Sequence, residues 1–341
     1  MDLVTGGTGI VGAHVLLELT LTGDPVRALV RSNSDRAILT RIFKHYQPDK
    51  VDELLSRINW FEGDLNSPGA LEEAMVGAKN VYHAAAMVSF DTRDAQTMQK
   101  VNVEGTASVV NAALVVGIER LCFVSSIAAI GEAPGHVERD ETLPWSADEF
   151  TSAYALSKYE AELEIQRGIA EGLDAVIVNP CMIIGPGAPG KSTMTLIERL
   201  SKGSRFHPPG SNAYVDARDV AQCMIKLMDQ APTGERYLLV GENLTYKEFF
   251  TQFCKANNEP APTRELEPWM LALAWRAERL RTFFTRTRPM VTKATVHSAI
   301  IERRYSNKKL VELTGHQFRP IEEAVANVVK YLRSEKDRIE R

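Results

Sequence analysis

Few cysteines, no long apolar run and no excess of basic residues characterise this sequence, and each absence excludes a class of protein. The 341 residues include only four cysteines, and neither CxxC spacing nor a paired pattern suggests a disulfide framework or a metal site such as zinc. No apolar stretch reaches the roughly 18 residues of a membrane-spanning helix. With 40 basic and 44 acidic residues, no surface for a nucleic-acid partner is expected. Reduced thiols and the lack of a leader pattern predict a cytoplasmic protein.

What the chain does contain, over its first 180 residues, is an alternation of short β-branched runs with helical segments. Such alternation predicts crossover connections. The fold class expected is therefore α/β, a doubly wound Rossmann-type parallel sheet with helices on both faces. The predicted strands are nearly continuous in apolar residues, as strands buried on both faces should be. They cover residues 3–5, 26–30, 58–61, 80–83, 121–124 and 175–178.

A glycine-rich turn follows the first predicted strand and opens the first predicted helix, at residues 10–22. Gly6 permits the tight turn, Gly9 removes the Cβ that would block a pyrophosphate, and Gly12 lets helix and strand pack closely. The helix N-terminus then offers free N–H groups and a partial positive charge to phosphates. This arrangement predicts a dinucleotide site, with a glycine turn that binds no ligand as the alternative.

Beyond the last of these strands the alternation ends, and helical stretches separated by glycine- and proline-rich loops predict a smaller, discontinuous, helix-rich domain. We expect a dinucleotide-binding Rossmann domain over residues 1–180, to which part of 211–240 returns. A substrate-binding domain is expected over 181–210 and 241–330, followed by a charged tail over 331–341.

Two strand ends indicate how a dinucleotide would be held. Asp64, just past the third strand, can accept a hydrogen bond from an adenine amino group, unless it serves as a helix N-cap. Arg31 ends the second strand, where an acidic residue would hold the ribose diol of NAD. Its guanidinium can bind the 2′-phosphate of NADP(H) instead, with Arg36 assisting, so NADP(H) is favoured. NAD(H) stays open, because a strand-end arginine is often only solvated and Asp35 lies nearby.

Tyr154 and Lys158 are four residues apart in a stretch of strong helical character, so they share one helix face. A tyrosine has an ordinary pKa of about 10, and an ammonium behind it, with an oxidised nicotinamide ring nearby, is expected to lower that pKa by favouring the phenolate. Ser126 follows the strand at 121–124, at the edge where open α/β sheets place their ligands. Its hydroxyl can hold a substrate oxygen beside the phenol. The set is typical of a proton-transfer centre, with a surface pair as the alternative.

Together these motifs resemble those of extended short-chain dehydrogenases/reductases, in the NAD-dependent epimerase/dehydratase superfamily, and among them the dihydroflavonol 4-reductase-like proteins. The resemblance extends over nearly the whole chain. It implies a catalytic triad of Ser126, Tyr154 and Lys158, of which the last two also contact the cofactor. The other cofactor-binding positions, together with Arg31, would be Gly6, Thr8, Gly9, Ile10, Gly12, Asp64, Leu65, Ala84, Ala85, Pro180 and Ile183.

The resemblance also implies supporting roles. Residues 101–106 match the helix start that supports the active site in the family. Asn179 precedes the proline at a position where many members carry arginine. His83 is interpreted as a packed residue rather than a catalytic one. By analogy with relatives, helices at 101–116 and 153–169 could form a homodimer interface.

The residues that follow Ala84 and Ala85 suggest an apolar substrate cavity, because they lack the hydrogen-bond donors that a sugar nucleotide needs. A helix at 269–284, amphipathic and rich in arginine, could form a lid over a hydrophobic substrate, lie on a membrane surface or pack on the smaller domain. Plain packing is favoured, and membrane contact is not expected. The residues expected to border a small-molecule substrate are Met87, Ser89, Phe90, Ser126 and Met182.

The sequence thus predicts an NADP(H)-dependent oxidoreductase that interconverts a ketone and a secondary alcohol on a fairly hydrophobic small molecule through the triad. One alternative is an NAD-dependent sugar-nucleotide epimerase or dehydratase with the same triad; Arg31 and the apolar loop at 87–90 weigh against it. A second alternative is a non-catalytic protein that senses a dinucleotide, which would not need all three triad residues. The identity of the substrate, the reaction direction and the oligomeric state are left open.

Overall fold

A seven-stranded parallel sheet forms the centre of the protein in the computed structural model, which describes residues 1–132, 137–190, 193–285, 287 and 292–339. The large sheet has the strand order β10-β6-β5-β4-β1-β2-β3. The strands are β1 (Asp2–Thr5), β2 (Val26–Val30), β3 (Ile58–Glu62), β4 (Asn80–His83), β5 (Arg120–Val124), β6 (Ala175–Pro180), β7 (Met182–Ile184), β8 (Phe206–His207), β9 (Ser211–Asp216), β10 (Arg236–Leu239), β11 (Glu242–Thr245) and β12 (Arg264–Glu265).

Helices cover both faces of the large sheet, which confirms the predicted doubly wound fold. They are α1 (Ile10–Leu21), α2 (Ala37–Tyr46), α3 (Val51–Ser56), α4 (Pro68–Met75), α5 (Ala95–Met98), α6 (Gly105–Val116), α7 (Ala153–Ala170), α8 (Thr193–Leu200), α9 (Ala217–Gln230), α10 (Tyr246–Asn257), α11 (Pro268–Thr285), α12 (Lys293–Ile300), α13 (Lys308–Thr314) and α14 (Ile321–Ile339). A π-helical turn at Gln99–Glu104 joins α5 to α6.

Each face of the sheet has its own hydrophobic core, because the strands are buried on both sides. Leu3 and Val4 are neighbours on β1 and both are fully buried, yet they belong to different cores. Val4 packs with residues of α1, α2 and α9, whereas Leu3 packs with residues of α4, α6 and α7. The strand order reverses between β1 and β4, and such a switch point opens a ligand crevice at the carboxyl ends of the strands.

A second sheet, in the order β11-β9-β7, lies in the part of the chain predicted to form the smaller domain. β7 is parallel to β9, and β11 is antiparallel to it. With α8, α10 and α14 this sheet encloses a third core, which includes Ile184, Ile197, Tyr214, Phe249, Phe253, Val325 and Val328. Between these elements α9 and β10 return to the large sheet, where β10 pairs with β6.

Residues 331–339, predicted as part of a charged tail, continue the last helix in the structure. α14 runs through residue 331 to Ile339, and Tyr331 is almost fully buried in the third core. The apolar positions of α14 continue past residue 330 on the face that meets α10, so the helix continues with them. Residues 340 and 341 of the predicted tail lie outside the described residues.

Candidate active site

The glycine turn lies between β1 and α1, against the alanines that follow β4. Gly6 has a φ of 71°, and a Cβ there would lie 2.6 Å from the backbone nitrogen of Ala85. A Cβ on Gly12 would overlap the carbonyl oxygen of Gly6. Both glycines are therefore required by close backbone approach, as the sequence predicted. Ala84 and Ala85 are half-buried beside the turn.

The open side of the turn is at Gly9, which is exposed and forms the N-cap of α1 without a side-chain capping bond. Thr8 and Ile10 flank it and are half-buried. The first N–H groups of a helix carry partial positive charge, so an uncapped and exposed N-terminus at this crevice fits a pyrophosphate. The residues present thus fit the phosphates of a dinucleotide.

Arg31 and Asp64 approach each other at the ends of β2 and β3. Both backbone and side chain of Asn66 donate to Asp64 Oδ1 at 2.9 Å. The pKa of Asp64 is lowered by the Asn66 hydrogen bonds, with the charges of Arg31 and Lys100 contributing. The alternative N-cap role is wrong, since Ser67 occupies the N-cap position of α4. Leu65 is buried in the core beneath α6.

The other charged residues near this corner already have protein partners. Asp35 forms an ion pair with Arg41 at 3.0 Å, and its Oδ1 accepts from the Ala37 N–H at 3.0 Å. The guanidinium of Arg36 lies 5.0 Å from the ring centroid of Trp60. Arg31 is exposed, and its backbone N–H donates to the Ser34 hydroxyl at 3.1 Å.

The structure brings Ser126, Tyr154 and Lys158 together at the carboxyl end of β5. Ser126 follows the strand after Ser125, and its hydroxyl is close enough to the Tyr154 phenol to act on the pKa of that group. Its Oγ also accepts from the Ala128 N–H at 3.1 Å, which fixes the turn. α7 begins beside this turn, where Ser152 caps the helix by accepting from the Ala155 N–H.

Lys158 lies one helical turn beyond Tyr154 and is only 2 % exposed. Its ammonium donates to the Val124 carbonyl at 2.6 Å and lies 4.4 Å from the ring centroid of Phe123. Burial lowers the pKa of Lys158 to about 7, and the charge of Glu162 acts in the opposite direction. Since an ammonium has three N–H donors, the bond to Val124 leaves donors for a further partner.

In the protein alone the pKa of Tyr154 is raised, and the lowering expected from Lys158 together with an oxidised nicotinamide ring stays a prediction. Burial raises the pKa of Tyr154, and the nearby Ser126 hydroxyl only partly opposes this effect. Desolvation disfavours the phenolate, and the neighbouring lysine does not outweigh it. The phenol is consequently protonated at neutral pH, which suits a group that donates a proton.

Two buried polar residues support this region. Asn102 donates to the Met87 carbonyl at 2.9 Å and accepts from the Met87 N–H at 2.7 Å, while it also donates to the Ser157 hydroxyl. His83 lies between the hydroxyls of Thr5 and Thr106, at 2.7 and 3.1 Å. Burial lowers the pKa of His83 to about 3, so the ring is neutral and packed, as predicted.

The predicted substrate residues differ in their distance from the triad and in whether their side chains already have partners in the protein. The ring of Phe90 is 52 % exposed and its centroid lies 6.2 Å from that of Tyr154. Ser89 donates to Asp94 at 2.6 Å and so stabilises its own loop. Met87 is held through its backbone by Asn102, and Met182 on β7 packs against the third core.

The two remaining cofactor positions lie on β6 of the large sheet and on β7 of the second sheet. Pro180 ends β6 and is buried, and Ile183 lies on β7, where it pairs with Val215. Asn179, which replaces the arginine of many relatives, donates to the Ser126 carbonyl at 3.0 Å and to Glu162 at 2.6 Å. Glu162 was not predicted as part of this region, although its spacing of four residues from Lys158 could have indicated it.

The predicted helix at 269–284 is α11. Leu271 is buried, whereas Trp269, Leu273 and Leu280 are each more than half exposed. Beyond the helix, the Thr287 carbonyl accepts a hydrogen bond from Arg93 at 3.0 Å, so this end of α11 lies near the loop after Phe90.

Within the described ranges, none of the helices has both the length and the apolar character needed to span a bilayer. Among the same residues, no group of three or more His, Cys, Asp or Glu side chains is arranged to bind a metal ion. All four cysteines are buried and free.

The sequence matches the family model of the NAD dependent epimerase/dehydratase family over residues 3–240. The chain belongs to this family. Across 97 % of its length it is 31 % identical to a protein of Synechocystis sp., named provisionally as a dihydroflavonol 4-reductase, of which it covers 94 %. It is 30 % identical to cinnamoyl-CoA reductase 1 of Oryza sativa subsp. japonica, over 70 % of each chain. The crystal structure of gox2253 is 30 % identical, with a TM-score of 0.81 and 98 % of both chains covered.

These relatives confirm the resemblance to extended short-chain dehydrogenases/reductases of the dihydroflavonol 4-reductase-like kind. The protein is an enzyme, an NAD(P)-dependent oxidoreductase that acts on CH–OH or C=O groups of a small molecule. The crevice at the carboxyl ends of β1, β4 and β5 contains both the glycine turn and the Ser126–Tyr154 pair, so it is the candidate active site of this family member.

Proposed function

We propose that the protein is an NADP(H)-dependent reductase that interconverts a ketone and a secondary alcohol on a fairly hydrophobic small molecule. The proposal rests above all on Tyr154, a protonated phenol that lies beside the Ser126 hydroxyl, with a buried lysine one helical turn behind it. The cofactor, when bound, would supply hydride at the carbonyl carbon. Ser126 would hold the substrate oxygen, and Tyr154 would donate its proton to that oxygen as negative charge develops.

Lys158 has a separate task in this proposal. Its remaining N–H donors would orient the nicotinamide ribose, and its positive charge would stabilise the phenolate that forms when Tyr154 gives up its proton. Burial beside the Phe123 ring holds the ammonium in one position. The lysine therefore needs to be charged during turnover, although burial makes that form costly.

The preference for NADP(H) is supported by the charges at the end of β2. Arg31 is exposed there and close enough to Asp64 for its charge to lower that carboxyl's pKa. Asp35, the nearest acidic alternative, is paired with Arg41. A guanidinium at this place can bind a 2′-phosphate, whereas the 2′-hydroxyl of NAD gains nothing from it.

A hydrophobic substrate is supported by the neighbourhood of Tyr154. Phe90 presents an exposed ring to the phenol, and Ser89 uses its hydroxyl within the loop. Reductases of aromatic compounds are also among the relatives by name. An NAD-dependent epimerase or dehydratase of sugar nucleotides remains the second candidate, because the family includes that chemistry and the same triad serves it. NAD that resists removal from the purified protein would favour this second candidate.

The first test is Tyr154→Phe. We expect ketone reduction to fall by about 10²- to 10⁴-fold, because the proton donor is lost, while the Kd for NADPH stays nearly unchanged. Steady-state kinetics on a panel of aromatic and aliphatic ketones, with NADPH binding by fluorescence, would measure both.

Tyr159→Phe is the matched control, since Tyr159 is on the same helix but its ring stacks on Trp145 with centroids 4.0 Å apart. That variant should retain activity. A Tyr154→Phe protein that keeps most of its turnover would refute the assigned role of the phenol.

A homodimer also belongs to the proposal. α6 and α7 pack closely, and their outer faces expose Val115, Leu156 and Leu163. Apolar side chains exposed on two adjacent helices fit an interface between two copies of the chain.

A further inference from the structure

A buried carboxylate lies behind the catalytic lysine. Glu162 follows Lys158 by four residues and Tyr154 by eight on α7, so the three side chains lie along one face of the helix. It is 5 % exposed. Asn179 donates to its Oε1 at 2.6 Å, and the Arg236 guanidinium lies 3.4 Å from its Oε2.

The position of this carboxylate needs an explanation, because burying a charge is costly without a compensating interaction. Glu162 has no contact with the Ser126 and Tyr154 hydroxyls, where the proposed chemistry takes place. Burial raises the pKa of Glu162, while Ser125, Asn179, Arg236 and Lys158 oppose that effect. Glu162 also lines a surface cleft of about 650 Å³ that includes Arg236 and Lys309. Its carboxylate thus lies between the lysine and a region that water can enter.

We infer that Glu162 is a positioning residue of the active site, whose negative charge holds Lys158 in its ammonium form. This inference rests on the proposed function, in which the lysine must be charged during turnover. The observation that supports it is geometric: the carboxylate is fixed by Asn179 and Arg236, from β6 and β10, one helical turn behind the lysine. Without this carboxylate, the desolvation of the ammonium would be offset only by the Val124 carbonyl and the Phe123 ring among the contacts described, and by no opposite charge.

The other groups that face this pair do not supply the same charge. From β5, Lys158 meets the Val124 carbonyl and the Phe123 ring, and Ser125 lies against Glu162. From β4, His83 is neutral at working pH because burial lowers its pKa. From β10, Arg236 is positive and also bonds to the carbonyls of Glu141 and Leu143. Within the described part of the chain, Glu162 is therefore the carboxylate whose charge favours the ammonium.

The test replaces the carboxylate by the isosteric amide, Glu162→Gln. The glutamine oxygen can still accept from Asn179, so the packing is kept while the charge is lost. We expect the pKa of Lys158 to fall by about one unit, because a charge one helical turn away in a partly buried site has an effect of at least that size. The pH above which ketone reduction declines should move lower by a similar amount. That direction follows because removing a negative charge disfavours both the ammonium and the protonated phenol.

Two measurements separate this effect from a structural one. Carbon-13 NMR titration of protein labelled at lysine Cε, without cofactor, reports the Lys158 pKa directly, with Lys158→Arg identifying the signal. The pH profile of kcat reports the same group during turnover. Glu164→Gln is the matched control: it removes the same charge from α7, but Glu164 pairs with Arg167 and points about 200° away around the helix. It should shift neither value.

A Glu162→Gln protein with an unchanged Lys158 titration and only a lower Tm would overturn the inference. If the amide variant does not fold, Glu162→Met provides the same loss of charge without an unpaired polar group. The proposed function can fail on its own: absence of ketone reduction in the wild type, with a shifted Lys158 pKa in the variant, would reject the reaction but keep the role of Glu162.

Discussion

Burial changes the acid–base properties of individual side chains at this site. The buried Lys158 ammonium loses its hydration and gains one hydrogen bond to the Val124 carbonyl and a contact with the face of the Phe123 ring. Burial therefore lowers the pKa of Lys158 to about 7. Tyr154 is held as a neutral phenol by the same burial. These opposite demands, a charged lysine and an uncharged tyrosine one turn apart, are what a proton donor at a hydride-transfer centre requires.

Cofactor choice is the property that a single residue should control. Arg31→Gln removes the guanidinium at the end of β2, and we expect the affinity for NADPH to fall about 10- to 100-fold, as a charge-assisted bond to phosphate is lost. The affinity for NADH should change less than about twofold by the same reasoning. Fluorescence titration of nucleotide-free protein with each cofactor measures both constants.

Arg279→Gln makes the same change of charge on the exposed surface of α11 and should alter neither affinity. Equal losses for NADPH and NADH in the Arg31 variant would contradict the assigned role, because they would indicate general damage to the site. A wild-type preference for NADH would also count against it.

At the scale of elements, α6 and α7 form the rigid side of the site. A Cβ on Gly168 would come within 2.5 Å of the Val110 side chain, so only glycine permits this close packing. Asn102, in the π-helical turn that precedes α6, also donates a hydrogen bond to the hydroxyl of Ser157 near the start of α7. The opposite faces of α6 and α7 are the ones that expose apolar side chains.

If those faces form the proposed homodimer, a charge placed there should separate the copies. Val115 is 71 % exposed, so Val115→Glu meets no obstacle within one chain, yet it would bury a carboxylate in the interface. We expect the mass measured by light scattering to change from dimer to monomer, with Tm of the monomer little affected. Val76→Glu, at a similarly exposed valine on neither helix, should stay dimeric. A wild-type protein that is monomeric at micromolar concentration would exclude the interface.

Elements differ in how well the sequence predicts them. Strands such as β2 and β4 were predicted with their observed bounds, because a short, largely apolar run between polar turns is typical of a buried strand in an α/β protein. β11 was not identified, because the residues Glu242–Thr245 are mostly polar and pair with β9 only in the folded sheet. The role of Glu162 was not predicted for the same reason. It depends on Asn179 and Arg236, which are distant in sequence and become neighbours only in the folded sheet.

At the scale of the whole molecule, the smaller unit is tied to the large sheet through Asp219 of α9. The carboxylate is fully buried; it accepts from the Arg319 N–H at 2.8 Å, pairs with the Arg319 guanidinium and lies 3.2 Å from His316. These partners all come from the segment just before α14, the longest helix of the third core. Although burial acts in the other direction, the contacts with His316 and Arg319 lower the pKa of Asp219.

Acid should therefore weaken this connection in a defined range of pH. A carboxyl whose pKa is lower in the folded than in the unfolded state stabilises the fold above its unfolded pKa of about 3.9, and that contribution is lost as the pH falls through the folded value. We expect Asp219→Asn to reduce the free energy of unfolding by about 3 kcal/mol at pH 7, since a buried charge pair loses one member. The difference from the wild type should persist at pH 5 and shrink below about pH 4. Urea unfolding at pH 7, 5 and 3.5 measures it, with Asp24→Asn on an exposed turn as the control. A difference that stays constant down to pH 3.5 would mean that the carboxylate's charge does not hold the two parts together.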